Sequence, residues 1–159
     1  MAALLGRARI HGIYDTQSLS MDTAEANFLS LQSQPLVRYN DLSSACNDPA
    51  ADALLICTPN HTHFDVLRTA MQSNKPIFLE KPMATELQDA AEIVRANEAY
   101  ESFIQIGLQY RYKPQYLEAF REALDNRALG QIKTVSVSEY RPPFLDNCLL
   151  YTSPSPRDH

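Results

Sequence analysis

The stretch Ala53-Leu54-Leu55-Ile56-Cys57-Thr58-Pro59-Asn60-His61-Thr62-His63 joins a short apolar run to a polar cluster. A second junction of the same kind follows at Ile77-Phe78-Leu79-Glu80-Lys81-Pro82. Apolar runs of about four to eight residues bounded by turn-forming residues are typical of fully buried strands in a parallel sheet. Ligands of open α/β sheets bind beyond the carboxyl ends of such strands. The two junctions therefore predict one site, at neighbouring strand ends.

Strands and helices alternate along the chain as far as Gly107. Further strands are predicted within residues 8–15, 34–39 and 102–107. Further helices are predicted within residues 22–31 and 41–46, after Asn60, and after Thr85-Glu86-Leu87-Gln88. Strands that alternate with helices are typical of βαβ units. We therefore predict the α/β class, with a doubly wound parallel sheet.

Local sequence also predicts where helices begin and which faces they bury. Asp41 and Asn60 are candidate N-caps, and Thr85 with Gln88 matches a capping box. Apolar residues at helical spacing predict two buried faces. The first consists of Phe64, Leu67 and Met71, and the second of Leu87, Ala90, Ala91 and Val94.

The character of the sequence changes after Gly107. Pro114 fits the first turn of a helix, and Gly130 fits its terminator. The side chains that this helix is expected to bury are Leu117, Phe120 and Leu124. Residues 132–140 alternate between apolar and polar, which is typical of an antiparallel strand with one wet face. We predict that a second domain begins here.

Composition excludes several classes of protein. The 159 residues suffice for one ordinary domain. A net charge of −5 without a basic cluster argues against nucleic acid as the main partner. No apolar run approaches a membrane span, and no signal peptide is visible. Cys46 and Cys57 favour a reducing compartment over a disulfide framework, so we expect a cytoplasmic protein.

The motifs Cys57-Thr58-Pro59-Asn60-His61-Thr62-His63 and Leu79-Glu80-Lys81-Pro82-Met83-Ala84 resemble those of the Gfo/Idh/MocA family of NAD(P)-dependent oxidoreductases, which includes inositol dehydrogenases. The resemblance implies a Rossmann-type dinucleotide-binding domain, partial here, over residues 1–107. It implies the start of an α+β substrate domain over residues 108–147. It also implies hydride transfer between a nicotinamide cofactor, NAD or NADP, and a secondary alcohol of a sugar or cyclitol, in a homo-oligomeric enzyme.

The glycine-rich turn G-x-G-x-x-G of dinucleotide-binding folds does not occur in this sequence. The family opens with a strand and that turn, which binds the pyrophosphate at a helix N-terminus. We therefore expect residues 1–5 to be the end of the first helix. The first strand is then missing from the sheet, between the strand that ends at Asp15 and the strand that ends at Cys57. We expect the 159-residue chain by itself to be inactive.

The segment Cys148-Leu149-Leu150-Tyr151-Thr152-Ser153-Pro154-Ser155-Pro156-Arg157-Asp158 resembles an in-frame translation of a transposon-library sequencing adapter. A natural disordered tail rich in Ser and Pro is the alternative. We expect residues 148–159 to be an artefactual or disordered tail. They are excluded from the functional prediction, as a fusion scar would be.

Lys81 is the predicted catalytic residue. By resemblance, it is the motif lysine that contacts substrate and cofactor near the reacting carbon. There it can hydrogen-bond the substrate hydroxyl or move its proton. Glu80 is predicted to contact the cofactor or to orient the lysine. The alternative for Lys81 is an exposed lysine in a turn.

The resemblance also implies a set of cofactor contacts. Asp15, at the end of the second strand, can accept hydrogen bonds from ribose hydroxyls and repel a 2′-phosphate, which favours NAD over NADP. Its alternative is a solvated aspartate in a turn. The other predicted contacts are Thr58, Pro59, Asn60, His63 and Arg111.

Each of these residues also has a structural alternative. Pro59 can simply close a strand, and Asn60 can simply cap a helix. His63 can be a structural residue, and Arg111 can be a surface residue. His61 and His63 are two positions apart, so on a helix they point to different faces. This spacing argues against a shared metal site, and no metal is predicted.

Two other functions remain open at this point. Some proteins of this fold bind dinucleotide without catalysis and act as regulators through protein contacts. The chain can also be an inactive fragment. The family's substrate domain supplies an Asp and a His for proton transfer beyond Asn147, and their presence in the gene would favour the enzyme over the regulator.

Overall fold

The computed structural model describes residues 8–29 and 34–138. Its strands are β1 (Gly12–Ile13), β2 (Val37–Arg38), β3 (Leu54–Ile56), β4 (Ile77–Leu79) and β5 (Ile104–Ile106). Its α-helices are α1 (Ser18–Leu29), α2 (Leu42–Asn47), α3 (His63–Met71), α4 (Leu87–Glu98) and α5 (Pro114–Phe120). The predictions for residues 1–5, for the last residues of the helix within 22–31 and for the tail from Cys148 lie outside the described residues.

The strands form two parallel sheets. In the first sheet β1 pairs with β2, and in the second the order is β3-β4-β5. Parallel pairing with helical crossovers confirms the predicted α/β class. Within the described residues, no strand pairs with the second edge of β1 or of β3. The sheet is therefore interrupted at the place where the sequence predicts a missing strand.

The core is formed by the second sheet and the helices α2, α3 and α4. Its buried side chains are Cys46, Ile56, Leu67, Ala70, Ile77, Leu79 and Ile93. Leu67 of α3 is fully buried, and Phe64 and Met71 pack beside the core as predicted. Burying a Leu side chain contributes about 1.5–3 kcal/mol, so α3 is held to the sheet by its apolar face.

The buried face predicted for α4 is wrong at its two outer positions, Leu87 and Val94, whereas Ala90 and Ala91 are half-buried. The helix begins at Leu87, and Glu86 occupies the N-cap without a side-chain hydrogen bond, so the capping box at Thr85 does not form. Leu87 is 87% exposed and Val94 is 54% exposed, whereas Ile93 is buried. The packing of α4 on α3 selects the Ile93 side, which the apolar spacing did not indicate.

The two N-cap predictions have different outcomes. Asp41 caps α2, since its carboxylate accepts hydrogen bonds from the Ser44 amide at 2.8 Å and the Ser44 hydroxyl at 2.6 Å. The prediction that Asn60 is the N-cap of α3 is wrong. A 3₁₀ turn, Asn60–Thr62, precedes α3, and the carbonyl of Pro59 accepts from the Thr62 amide at 2.9 Å. Asn60 therefore lies inside the turn.

The described residues fall into two compact units that divide between Ile106 and Gly107. In the second unit Pro114 occupies the first turn of α5, as predicted. Residues 132–138 form no strand, because no described segment pairs with them. The side chains predicted to be buried are instead 46–56% exposed, since no described element of this unit covers them: Leu117, Phe120 and Leu124.

Candidate functional site

The carboxyl ends of β3 and β4 lie side by side. Ile56 is opposite Leu79, and the amide of Glu80 donates a 3.0 Å hydrogen bond to the carbonyl of Ile56. The strand pairing therefore continues one residue past β4. The turn that starts at Thr58 and the turn that contains Lys81 leave the sheet at neighbouring positions, as the sequence predicts.

His63 connects these two turns. Its side chain is fully buried at the start of α3. Nδ1 lies 2.7 Å from the carbonyl oxygen of Pro82, and Nε2 lies 2.9 Å from the carbonyl oxygen of Thr58. Carbonyl oxygens only accept hydrogen bonds, so the ring donates to one of them when neutral and to both when doubly protonated.

Lys81 is exposed at the mouth of the β4 turn. Its backbone amide donates to the Glu80 carboxylate at 3.2 Å, and the Lys81–Pro82 peptide bond is cis. Within the described part of the chain, the Lys81 ammonium takes part in no ion pair. The Lys81 side chain is therefore available to a bound molecule.

Thr58 carries a hydroxyl without a partner. Its Oγ1 is buried and forms no hydrogen bond with any of the described residues. A buried hydroxyl without a hydrogen bond costs about 1–3 kcal/mol, so such groups are uncommon in folded proteins. Pro59 is exposed and Asn60 is half-buried in the turn that follows.

Cys57 was not singled out as a site residue, yet it lies at the same sheet edge. Desolvation raises the pKa of its thiol, and the negative charge of Glu80 raises it further. Glu80 directly follows β4, and its amide pairs with the Ile56 carbonyl of β3. A thiol with a raised pKa stays protonated near neutral pH, so Cys57 is a poor nucleophile.

Two predicted contacts belong to other elements of the fold. Asp15 follows β1 in the first sheet, is exposed, and its Oδ1 accepts a 2.8 Å hydrogen bond from the Gln17 amide. Arg111 belongs to the second unit, in the 3₁₀ turn Gln109–Tyr112, where its amide donates to the carbonyl of Leu108. Thr58, Pro59, Asn60, His63, Glu80 and Lys81 are the predicted residues that share the carboxyl edge of the second sheet.

A polar cluster that the sequence did not reveal lies outside this site. The hydroxyl of Tyr39 and the ring of His11 both contact Oδ2 of Asp48, and Lys75 donates to the Asp48 carbonyl at 2.5 Å. Burial and the Asp48 carboxylate raise the pKa of Tyr39 to about 12. These residues are distant in sequence and follow no motif, so only the fold brings them together.

Comparison with known proteins identifies the class. A family profile described as the oxidoreductase family with an NAD-binding Rossmann fold, Gfo/Idh/MocA, matches residues 2–108. The chain belongs to this family.

Curated relatives agree with the family profile. Inositol 2-dehydrogenase of Paracoccus denitrificans is 32% identical over 116 residues, which cover 72% of this chain and 33% of the relative. Inositol 2-dehydrogenase of Mycolicibacterium smegmatis is 30% identical over 115 residues, which cover 70% of this chain and 33% of the relative. The chain thus spans about a third of the length of the curated relatives that it matches.

Solved structures share the fold. The myo-inositol dehydrogenase of Lactobacillus casei, in complex with NAD(H) and myo-inositol, matches with a TM-score of 0.70 and 27% identity, over 81% of this chain and 37% of that one. A probable dehydrogenase from Thermotoga maritima matches with a TM-score of 0.67 at 21% identity, over 80% of this chain and 37% of that one. None of the helices in the described residues is long and apolar enough to cross a membrane.

Proposed function

We propose that the protein carrying this chain is an NAD-dependent dehydrogenase that oxidises a secondary alcohol of a cyclitol or sugar. The observation that carries the proposal is the exposed Lys81, which leaves the sheet next to a turn with an unpaired buried hydroxyl. A basic group near an unsatisfied polar group is suited to holding a substrate hydroxyl.

The residues at the sheet edge fit a dinucleotide. The unpaired Oγ1 of Thr58 supports this, because a bound polar ligand can supply the hydrogen bond that the described residues do not provide. Thr58, Pro59, Asn60, His63 and Glu80 would line the nicotinamide half of the cofactor. Asp15 would hold the adenosine ribose, and Arg111 stays a predicted cofactor contact.

Lys81 has the catalytic role in this proposal. In its neutral amine form, Nζ would accept the hydroxyl proton of the substrate and hold it while the carbon is oxidised. NAD, when bound, supplies the oxidising group. The Glu80 carboxylate accepts a hydrogen bond from the Lys81 amide, so Glu80 would fix the start of the turn that contains Lys81.

The curated relatives and the two cysteines bear on the substrate class and on the compartment. Curated relatives at 30–32% identity are inositol 2-dehydrogenases, which favours a polyol substrate for this protein as well. Cys46 and Cys57 are both free thiols, which suits a reducing compartment such as the cytoplasm.

The source locus is first sequenced in both directions. The test then replaces Lys81 by Ala in the protein that this locus encodes. Removal of a general base typically costs about 10²–10⁴ in turnover, so kcat with myo-inositol should fall by that order. The NAD dissociation constant should stay within about twofold, because the other cofactor contacts remain. Lys133→Ala, in the second unit and also exposed, is the matched control. An active Lys81→Ala enzyme would refute the role.

A further inference from the structure

His63 is the fully buried polar side chain among the described residues, and it contacts both turns of the candidate site. Its two partners are carbonyls of residues that are 24 positions apart in the chain, Thr58 and Pro82. A neutral imidazole has one donor and one acceptor nitrogen, whereas both partners of this ring are acceptors. The placement of this ring between two strand-end turns therefore calls for a specific explanation.

We propose that His63 is a positioning residue that, with both ring nitrogens protonated, has two separable functions. Through Nδ1 it fixes the carbonyl of Pro82, and with it the turn that carries Lys81. Through Nε2 it fixes the carbonyl of Thr58, and with it the turn that faces the cofactor. This inference rests on the proposed function, because it assigns the two turns to the lysine and to NAD.

The geometry supports a direct mechanical link. Pro82 is bonded to Lys81, so a fixed Pro82 carbonyl limits where the lysine backbone can lie. The carbonyl of Thr58 belongs to the residue whose Oγ1 is buried and unpaired. Because the ring is completely shielded from solvent, its removal would leave buried carbonyl oxygens without their hydrogen-bond donor. Each carbonyl would then lose its partner.

Amide side chains can separate the two contacts. The amide nitrogen of Asn occupies nearly the position of His Nδ1, and the amide nitrogen of Gln nearly that of His Nε2. His63→Asn should therefore keep the contact with Pro82 and lose the contact with Thr58. His63→Gln should keep the contact with Thr58 and lose the contact with Pro82. A purely structural histidine would give two variants with the same defect.

The experiment compares both variants with wild type in the full-length protein. For His63→Gln we expect kcat to fall about tenfold and the NAD dissociation constant to change less than about twofold. For His63→Asn we expect the NAD dissociation constant to rise about tenfold, with a smaller change in kcat. Cofactor binding is measured by fluorescence titration, without turnover. His61→Gln, an exposed neighbour, is the matched control and should change neither value.

Two results would overturn the inference. Equal losses in the same parameter for both variants would indicate general loosening of the fold, and unchanged values for both would show that the ring positions nothing. If neither variant folds, hydrogen exchange of the wild-type His63 ring N–H decides. Exchange that slows when NAD binds supports the inference, and exchange that NAD leaves unchanged contradicts it.

The proposed function can fail separately. Absence of dehydrogenase activity in the wild-type protein, together with weaker NAD binding by His63→Asn alone, would refute the activity and support the positioning role. The rate at which an amine-acylating reagent labels Lys81, followed by mass spectrometry, then replaces kcat as the measure of the lysine turn. His63→Gln should change that rate, and His63→Asn should leave it unchanged.

Discussion

The hydroxyl of Tyr39 donates a 2.6 Å hydrogen bond to Oδ2 of Asp48. Tyr39 follows β2 of the first sheet, and Asp48 precedes β3 of the second. His11, just before β1, lies 3.1 Å from the same carboxylate oxygen. Because the two sheets share no backbone ladder within the described residues, these side chains join them.

Asp48 should make stability depend on acid pH. The Tyr39 hydroxyl first, and then the Ala50 amide and His11, lower the pKa of Asp48 from 3.8 to about 2. A folded-state pKa below the unfolded one stabilises the fold above about pH 4, and this contribution is lost as the pH falls toward about 2. Urea unfolding of wild type and Asp48→Asn at several pH values measures the effect. As the pH falls, the free energy of unfolding should decrease more steeply for wild type than for Asp48→Asn. Parallel pH curves for the two proteins would contradict the prediction.

Gly12 should not accept a side chain. A Cβ at this position would lie 2.5 Å from Cε2 of Tyr39 and 2.8 Å from the carbonyl oxygen of Val37. The ring is held by Asp48 and the carbonyl belongs to β2, so neither moves easily. Gly12→Ala should lower the free energy of unfolding by about 1–3 kcal/mol, through overpacking. At Gly130, whose φ is +64° and whose surroundings are open, the change to Ala costs only backbone strain, about 1–2 kcal/mol. If Gly12→Ala leaves the free energy of unfolding unchanged, the close packing of Tyr39 against Gly12 is wrong.

Thr58→Val should separate ligand binding from stability. The substitution keeps the shape of the side chain and removes the unpaired hydroxyl. Thermal stability should stay the same or rise slightly, because a buried group without a hydrogen bond is lost. NAD affinity should fall, and Thr58→Ser, which keeps the hydroxyl, should bind NAD as wild type does. A Val variant that binds NAD normally would show that the hydroxyl contacts no ligand.

The helix caps provide a matched pair of substitutions. The side chain of Asp41 accepts two hydrogen bonds at the start of α2. The side chain of Glu86, at the cap of α4, accepts none there. Asp41→Ala should lower the free energy of unfolding by about 1 kcal/mol, and Glu86→Ala should change it by less than about 0.5 kcal/mol. Chemical denaturation distinguishes the two. Equal effects would mean that the side-chain bonds of Asp41 contribute nothing.

Strand ends could be predicted from sequence, and side-chain partners could not. Apolar runs that stop at Thr58 and at Glu80 locate the carboxyl edge of the sheet, because burial on both faces dictates such runs. Asn60 was predicted as a cap, but the backbone forms a 3₁₀ turn on the Pro59 carbonyl instead. No local pattern indicates that the ring of His63 reaches Pro82.

Helices α3 and α4 show the same limit of prediction from local sequence. The apolar face of α3 was predicted correctly, since Leu67 is its fully buried residue. In α4 the spacing selected Leu87 and Val94, but contact with α3 selects Ile93. Both faces carry apolar residues, so the choice depends on the orientation of a neighbouring helix, which local sequence does not encode.

The first sheet contributes few buried side chains, so the first unit has parts of unequal stability. From Gly12 to Arg38, Leu36 is the one buried side chain in the described residues, whereas β3, α3 and β4 supply most of the core. Segments with few buried contacts open by local unfolding at low free-energy cost. The amides of β1 and β2 should therefore exchange with solvent well before those of β4. Asp15 lies on the labile segment and Lys81 on the persistent one, so a ligand that binds both would suppress this opening and protect the first sheet from proteolysis.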